Sequence, residues 1–344
     1  MKRLSGSGRT SAMPIQHGDE ALAARLRALL GDRHPVAAAA TISPGQQRVA
    51  GLGAGAGADF EIGSVSKGVT GLLYADALAR GEIDRTATLG DLLPLGDCPA
   101  ARVTLASLAT HHSGLPSLPR SAGLVRRSVA LWRHGANPYG DTLDQLIVQT
   151  RSVPVGKPRA RYSNLGFQLL GHAIAAAAGA SYPALVRERV ADPLGLDVFY
   201  VPATPAQLRP DALTGTTGFG RHRQPWTGEA VGPAGGIRAS IQAMARLAAA
   251  MLDGSAPGLS ALDPVARFAG SAVRIGAGWI ALERDGHTVT WHNGGTGGFR
   301  AWLGLDRAAG AGAVVLTATS RGVDRSGFRL LAETAGRNAS RPRR

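Results

Sequence analysis

Phe60-Glu61-Ile62-Gly63-Ser64-Val65-Ser66-Lys67-Gly68 decides the reading of this chain. The protein has 35 arginines but only three lysines, and one of the three stands three residues after Ser64. Arginine stays protonated in proteins, whereas a lysine whose pKa is lowered can accept a proton. Positions i and i+3 share one face of a helix, one turn apart. A helix opening at Ser64 would aim its backbone N–H groups at an oxyanion and help keep the lysine neutral. The expected pair is a serine nucleophile with a lysine base. The alternative is an exposed lysine on an ordinary helix, so the pair needs partners.

Two further stretches supply them. Tyr162-Ser163-Asn164 follows an extended-looking Pro154-Val155-Gly156-Lys157-Pro158 and precedes an apolar helical run, Leu165 to Ala178. A loop at a helix entrance can face side chains into a cleft. Tyrosine can relay a proton, and an asparagine amide both donates and accepts. The alternative is a packed tyrosine with a capping asparagine. Trp291-His292-Asn293-Gly294-Gly295-Thr296-Gly297-Gly298-Phe299 ends an alternating, strand-like segment, Thr288 to Trp291. Its glycines allow close backbone approach, and a strand edge can offer an N–H to an oxyanion. A plain hairpin turn is the alternative here.

In this order the three motifs resemble those of the serine β-lactamase and penicillin-binding-protein superfamily. The middle Tyr-x-Asn brings the resemblance closest to class C β-lactamases, D,D-peptidases and family VIII-type esterases. Thr110-His111-His112-Ser113-Gly114-Leu115-Pro116, Ala234-Gly235-Gly236-Ile237-Arg238-Ala239-Ser240 and Gly276-Ala277-Gly278-Trp279 fit the same group, and the resemblance runs from about Asp19 to Ala335. It implies Ser64 as nucleophile, Lys67 as base and Tyr162 as second proton carrier. Asn164 would hold a substrate amide or the lysine. His292, Asn293 and Gly294 would occupy the substrate-binding strand. The backbone N–H groups of Ser64 and Gly295 would form the oxyanion hole. His292 stands where a β-lactamase carries lysine. An unperturbed histidine is mostly neutral at pH 7, which weakens carboxylate binding.

The expected activity is therefore a serine hydrolase cleaving an ester or amide through a Ser64 acyl-enzyme, foremost a carboxylesterase. A β-lactamase, a D-Ala-D-Ala carboxypeptidase and a biosynthetic acyltransferase are the alternatives. A penicillin-recognising binder needs no proton carriers and fits less well. The expected partner is a small ester, amide or acyl substrate, with no cofactor and no metal.

Length and composition bound the rest. At 344 residues the chain can build a large core in one or two domains. Its formal charge of +14 would suit nucleic acid. The arginines are scattered rather than massed, however, and no nucleic-acid-binding signature accompanies them. Cys98 is the single cysteine, which removes an internal disulfide and fits a reducing compartment. Residues 1–19 carry Lys2 and Arg3 but no apolar stretch typical of a secretory leader, so the expected location is cytoplasmic. Translation could start at Met1 or Met13. No run of eighteen apolar residues predicts a membrane span.

Hydrophobic periodicity predicts an amphipathic helix over Asp19–Leu30 and strands over Val36–Ile42 and Arg48–Leu52, joined at Ser43-Pro44-Gly45. A helix is expected from Ser64 to near Gly81, and another over Ile241–Leu252. Strands are expected over Gly278–Leu282, Thr288–Trp291, Ala301–Leu305 and Ala313–Thr317, then a last helix over Phe328–Ala335. The fold class is α/β, an antiparallel sheet flanked by helices plus an all-α domain. The expected domains are a discontinuous sandwich, 19–83 with 226–336, and a mainly helical 84–225. Residues 1–18 and 337–344 are expected to be flexible tails. The cleft between the domains would hold all three motifs.

Overall fold

The computed structural model describes residues 15–118, 135–138, 140–284 and 286–337. Both candidate start codons and residues 338–344 lie outside them.

The N-terminal strands are β1 (Gln16–Gly18), β2 (Ala37–Ser43) and β3 (Gln46–Leu52). Three short strands, β4 (Asp59–Glu61), β5 (Phe199–Tyr200) and β6 (Arg238–Ser240), form a small sheet in the order β4-β6-β5. The C-terminal part adds β7 (Ala266–Ala269), β8 (Val273–Ile275), β9 (Ile280–Arg284), β10 (His287–Gly295), β11 (Arg300–Asp306) and β12 (Ala311–Thr317). These join β1–β3 in one antiparallel sheet of nine strands, ordered β1-β3-β2-β12-β11-β10-β9-β8-β7. The two ends of the chain thus pair at its centre, where Ala39 of β2 faces Val315 of β12.

The longer helices are α1 (Glu20–Leu30), α2 (Val65–Ala79), α3 (Leu143–Arg151), α4 (Asn164–Ala177), α5 (Ile241–Asp253) and α6 (Asp324–Thr334). The central strands are buried on both faces, and the period-2 alternation shows how. Ala37, Ala39, Trp302, Ala313 and Val315 pack with Leu22 and Leu26 of α1 and Leu330 and Leu331 of α6. Ala38, Ala40, Leu303, Val314 and Leu316 point the other way, into a core shared with α2 and α5. Small alanines on β2 let helices approach both sides of the sheet. That second core continues without a break into residues from the 84–225 stretch, including Leu105, Leu108, Leu165 and Phe167.

Every residue of α2 from Val65 to Ala77 is buried, so it is the hub between the sheet and the helical stretch. Capping sets the ends of the others. Asp19 accepts the Leu22 N–H at 2.8 Å and opens α1. Ser163, not Asn164, caps α4 by accepting the Gly166 N–H at 2.9 Å.

Several expectations need correction. Residues 16–18 are not tail but the edge strand β1, paired with β3. The strand expected over 278–282 runs from Ile280 to Arg284, because Gly278 turns the chain at φ 73°. The strand read over Thr288–Trp291 runs from His287 to Gly295, so His292, Asn293 and Gly294 lie on a strand as expected and the hairpin-turn alternative falls away. The last helix starts at Asp324, a turn early. The stretch 84–225 is not wholly helical, since β5 lies in it and pairs with β6. Strands β1 and β4–β8 went unrecognised because two to four residues are too few to show alternation. Among the described residues no single helix is long and apolar enough to cross a membrane.

Candidate active site

Strand β4 leads directly into Ser64, and a buried ionic cluster fixes that strand. Arg238, fully buried, bonds Asp59 at 2.9 Å and Glu61 at 3.0 Å. Burial pushes both carboxyls up. Arg238 outweighs this at Asp59, which stays below the usual range, whereas Glu61 remains raised. Breaking such a pair leaves an uncompensated buried charge, at a cost of about 3–5 kcal/mol. Glu61 also accepts the Trp226 N–H at 2.8 Å and bonds the Thr296 side chain. One carboxylate therefore ties the strand before Ser64 to the loop after Gly295.

Ser64 is half-buried and stands at the N-terminus of α2. Lys67 Nζ lies 3.0 Å from Ser64 Oγ and also donates to the Ala234 carbonyl. Lys67 is fully buried, and desolvation drives its pKa well below the ordinary lysine value. A neutral amine in this position donates to Ala234 and keeps its lone pair for the serine proton. The Tyr162 ring lies over the same nitrogen, 4.9 Å from its centroid.

Gly294 and Gly295 of β10 press on the segment that carries the serine. A Cβ on Gly294 would meet the Ile62 carbonyl oxygen at 1.9 Å and the Ser64 amide nitrogen at 3.0 Å. A Cβ on Gly63 would meet the Gly295 amide nitrogen at 2.6 Å. Only glycine permits this approach of β10 to the segment before Ser64, and both Ser64 and Gly295 line the same cleft.

Ser64, Tyr162, Asn293, Gly294, Gly295, Arg300, Gly322 and Asp324 line a cleft of about 150 Å³. A larger groove of about 430 Å³, around Pro44, Leu252 and Gly310, shares none of these residues. Asn164 begins α4 and is half-buried. It is not among the lining residues of the cleft, and neither is His292. His292 is buried beneath it, with Nδ1 donating to the Asn293 carbonyl at 2.6 Å, which leaves Nε2 without a proton. Burial, with Lys67 nearby, pushes its pKa down to about 3, so the ring is neutral. Among the described residues no group of three or more His, Cys, Asp or Glu side chains is arranged as metal ligands.

Sequence reading missed Arg300 and Asp324. Arg300 lies on Gly295, where a Cβ would meet its Nη1 at 2.7 Å, and that nitrogen donates to the Thr296 and Phe299 carbonyls at 2.9 Å each. Burial lowers its pKa, yet a guanidinium keeps its charge. Asp324 accepts from Asn293 Nδ2 at 2.9 Å. Neither residue carried a signal: Arg300 depends on the pairing of β10 with β11 and Asp324 on where α6 packs, and no local pattern encodes either. The accessory stretches frame the same site. Ala234 holds Lys67, Ile237 accepts the Ile62 N–H at 3.1 Å, and Trp279 Nε1 donates to the Gly68 carbonyl at 3.0 Å.

Known proteins share this arrangement of chain. The D-alanyl-D-alanine-carboxypeptidase/endopeptidase AmpH of Escherichia coli (strain K12) is 32% identical over 157 residues, 43% of this chain and 38% of that protein. The chain spans less than half the length of the curated relatives it matches. The octameric penicillin-binding protein homologue from Pyrococcus abyssi superposes with a TM-score of 0.78 at 21% identity, over 93% of this chain and 77% of that one. A β-lactamase/D-alanine carboxypeptidase from Pseudomonas syringae gives 0.76 at 17% identity, over 93% and 99%. At these identities the structural likeness is one of fold. Residues 22–336 match the Beta-lactamase family model, and the chain belongs to the β-lactamase family, whose members are serine hydrolases.

Proposed function

We propose that the protein hydrolyses a small ester through an acyl-enzyme on Ser64. One observation carries the reading: a fully buried Lys67 nitrogen 3.0 Å from the Ser64 hydroxyl. Lys67 takes the hydroxyl proton as Ser64 Oγ bonds to the substrate carbonyl carbon. The negative charge that develops on the carbonyl oxygen falls between the amides of Ser64 and Gly295. The bond to the leaving group then breaks, and Tyr162 passes a proton to it. Water, deprotonated by the same residues, attacks the acyl carbon and releases the acid and Ser64. Asn164 and Asn293 are the amides available to orient a substrate.

The ester preference rests on two features. A cleft of about 150 Å³ is small beside the roughly 300–1,000 Å³ of sites for drug-sized ligands, which suits a short acyl group. A neutral His292 offers no fixed charge for a carboxylate. Arg300 in the cleft lining favours a second reading, cleavage of carboxylate-bearing substrates such as β-lactams or peptides ending in D-alanine. Steady-state kinetics at pH 7.5 with p-nitrophenyl acetate, p-nitrophenyl butyrate and a chromogenic cephalosporin separate the two. The ester reading predicts a kcat/KM for the esters about 10–100-fold above that for the cephalosporin, the factor a lost charge-assisted hydrogen bond implies. Efficient cephalosporin turnover with inert esters would overturn it.

A further inference from the structure

His111 grips the three-residue segment around Tyr162 at three points. Its backbone carbonyl accepts the Arg161 N–H at 2.9 Å. Its Nδ1 accepts the Ser163 N–H at 3.1 Å. Its ring lies against the Tyr162 ring, with centroids 4.6 Å apart and planes inclined by 36°. The residues before and after the tyrosine are therefore held by one histidine, and the tyrosine ring rests on that histidine's face.

Two further features are costly unless the arrangement has a use. His111 has φ 60°, and it is the one described residue other than glycine at positive φ. That region strains most side chains. Accepting at Nδ1 also fixes the ring proton on Nε2, and Nε2 is buried without a hydrogen-bond partner. Phe167 and Phe268 close round the ring at centroid distances of 4.7 and 5.9 Å. Burial, with Lys67, His292 and His112 nearby, holds the imidazole well below its usual pKa, so it stays the neutral acceptor that Ser163 requires. Its neighbour His112 turns its Nδ1 to the Thr110 carbonyl at 2.7 Å.

We infer that His111 is a positioning residue that sets the Tyr162 phenol for proton transfer. The inference rests on the proposed roles of Ser64, Lys67 and Tyr162. Asparagine tolerates positive φ, and its Oδ1 stands where the histidine Nδ1 stands, so His111→Asn keeps the acceptor for Ser163. His111→Gly removes ring and acceptor without backbone strain.

The test is a double-mutant cycle. Acylation by p-nitrophenyl acetate is measured by stopped flow in the full-length protein and in His111→Asn, His111→Gly, Tyr162→Phe and His111→Gly/Tyr162→Phe. Thermal melting monitors folding of each variant. Misplacing a catalytic group by about 1 Å can cost roughly 10²-fold. The expected result is a loss of about 10–100-fold in His111→Gly, mostly in kcat. His111→Asn should recover most of that loss. In the Tyr162→Phe background His111→Gly should cost less than about 3-fold, because there is no phenol left to position. Equal losses in both backgrounds would overturn the positioning role while leaving the proposed chemistry intact. An unimpaired Tyr162→Phe would instead overturn the chemistry on which it rests. If His111→Gly does not fold, His111→Asn alone decides: with a wild-type melting temperature, a loss as large as that of Tyr162→Phe overturns the inference.

Discussion

Lys67 Nζ sits 3.0 Å from Ser64 Oγ, shut away from solvent, with the Ala234 carbonyl as its other partner. The carbonyl can only accept, so it consumes one N–H of the lysine and leaves the serine as the group with which a proton can be exchanged. Burial drives the lysine pKa well below its ordinary value, the direction that a proton exchange with the serine requires.

Charge alone at position 67 should therefore be useless. Lys67→Arg keeps a cation but cannot give up its proton. We expect it to be about as damaging as Lys67→Ala, with ester hydrolysis down roughly 10²–10⁴-fold in each. Steady-state rates on p-nitrophenyl butyrate check this. Recovery of most activity by Lys67→Arg would make the lysine a structural cation.

Buried neutral histidine should make the protein acid-sensitive. His292 has its pKa near 3 when folded, against the ordinary value of 6.5. Between these values the unfolded chain binds a proton that the folded protein refuses. The associated stability is complete above pH 6.5 and is lost as pH falls toward 3, by up to about 1.4 kcal/mol per pH unit. His34, His111 and His172 are also lowered by burial and add to the wild-type slope. His292→Asn should flatten that slope by the share of one histidine. Urea unfolding at pH 7, 6, 5 and 4.5 measures it, and parallel curves for the two proteins would count against a neutral His292.

The oxyanion geometry should not tolerate a methyl group at Gly294. A Cβ there would lie 1.9 Å from the Ile62 carbonyl oxygen, so β10 and the segment before Ser64 must part. Gly294→Ala should destabilise the fold by about 1–3 kcal/mol through overpacking. It should also reduce kcat roughly 10²–10³-fold, as loss of an oxyanion donor does. Chemical denaturation and kinetics on one protein preparation give both numbers. A variant with wild-type kcat would remove Gly294 and Gly295 from the site.

Arg300 makes a separate prediction about selectivity. Its guanidinium rests on Gly295, Arg300 lines the cleft, and no described acid lies within salt-bridge distance of it. Arg300→Ala should lower kcat/KM for a carboxylate-bearing cephalosporin about 10-fold more than for p-nitrophenyl acetate. Equal losses on both substrates would make Arg300 a support for the Thr296–Phe299 turn and nothing more.

The parts of this protein that could be read in advance are those with local signatures. Short apolar runs bounded by turn residues identified β2, β3, β11 and β12, alternation identified part of β10, and helical patterning identified α1, α2, α4 and α5 to within a few residues. The Ser64–Lys67 spacing became a contact because one helical turn enforces it. Tyr162 was found through its place at a helix entrance, and its ring does face Lys67. Asn164 was expected on the loop before the helix; it is instead the first residue of α4, and Ser163 makes the cap. What stayed hidden depends on pairing between distant segments. Arg300 reaches the cleft because β10 and β11 are in register from Thr290–Leu305 to Gly295–Arg300. Asp324 arrives on α6, and the Ala234 carbonyl arrives from a short helix, Gly232–Gly235, 167 residues along the chain from the lysine it holds. His111 was visible within a familiar stretch, but its grip on Tyr162 needs a fold to bring residues 111 and 163 together.

Intact-mass spectrometry under acylating conditions tests the Ser64 acyl-enzyme most directly. Protein mixed with excess p-nitrophenyl acetate and quenched in acid within seconds should gain the mass of one acetyl group. Peptide mapping should place it on Ser64, and Ser64→Ala should show neither adduct nor turnover. Tyr162→Phe should retain whatever adduct it forms for longer, since the proton carrier that assists release is gone. An acetyl group mapped to another residue, or full turnover by Ser64→Ala, would contradict the account.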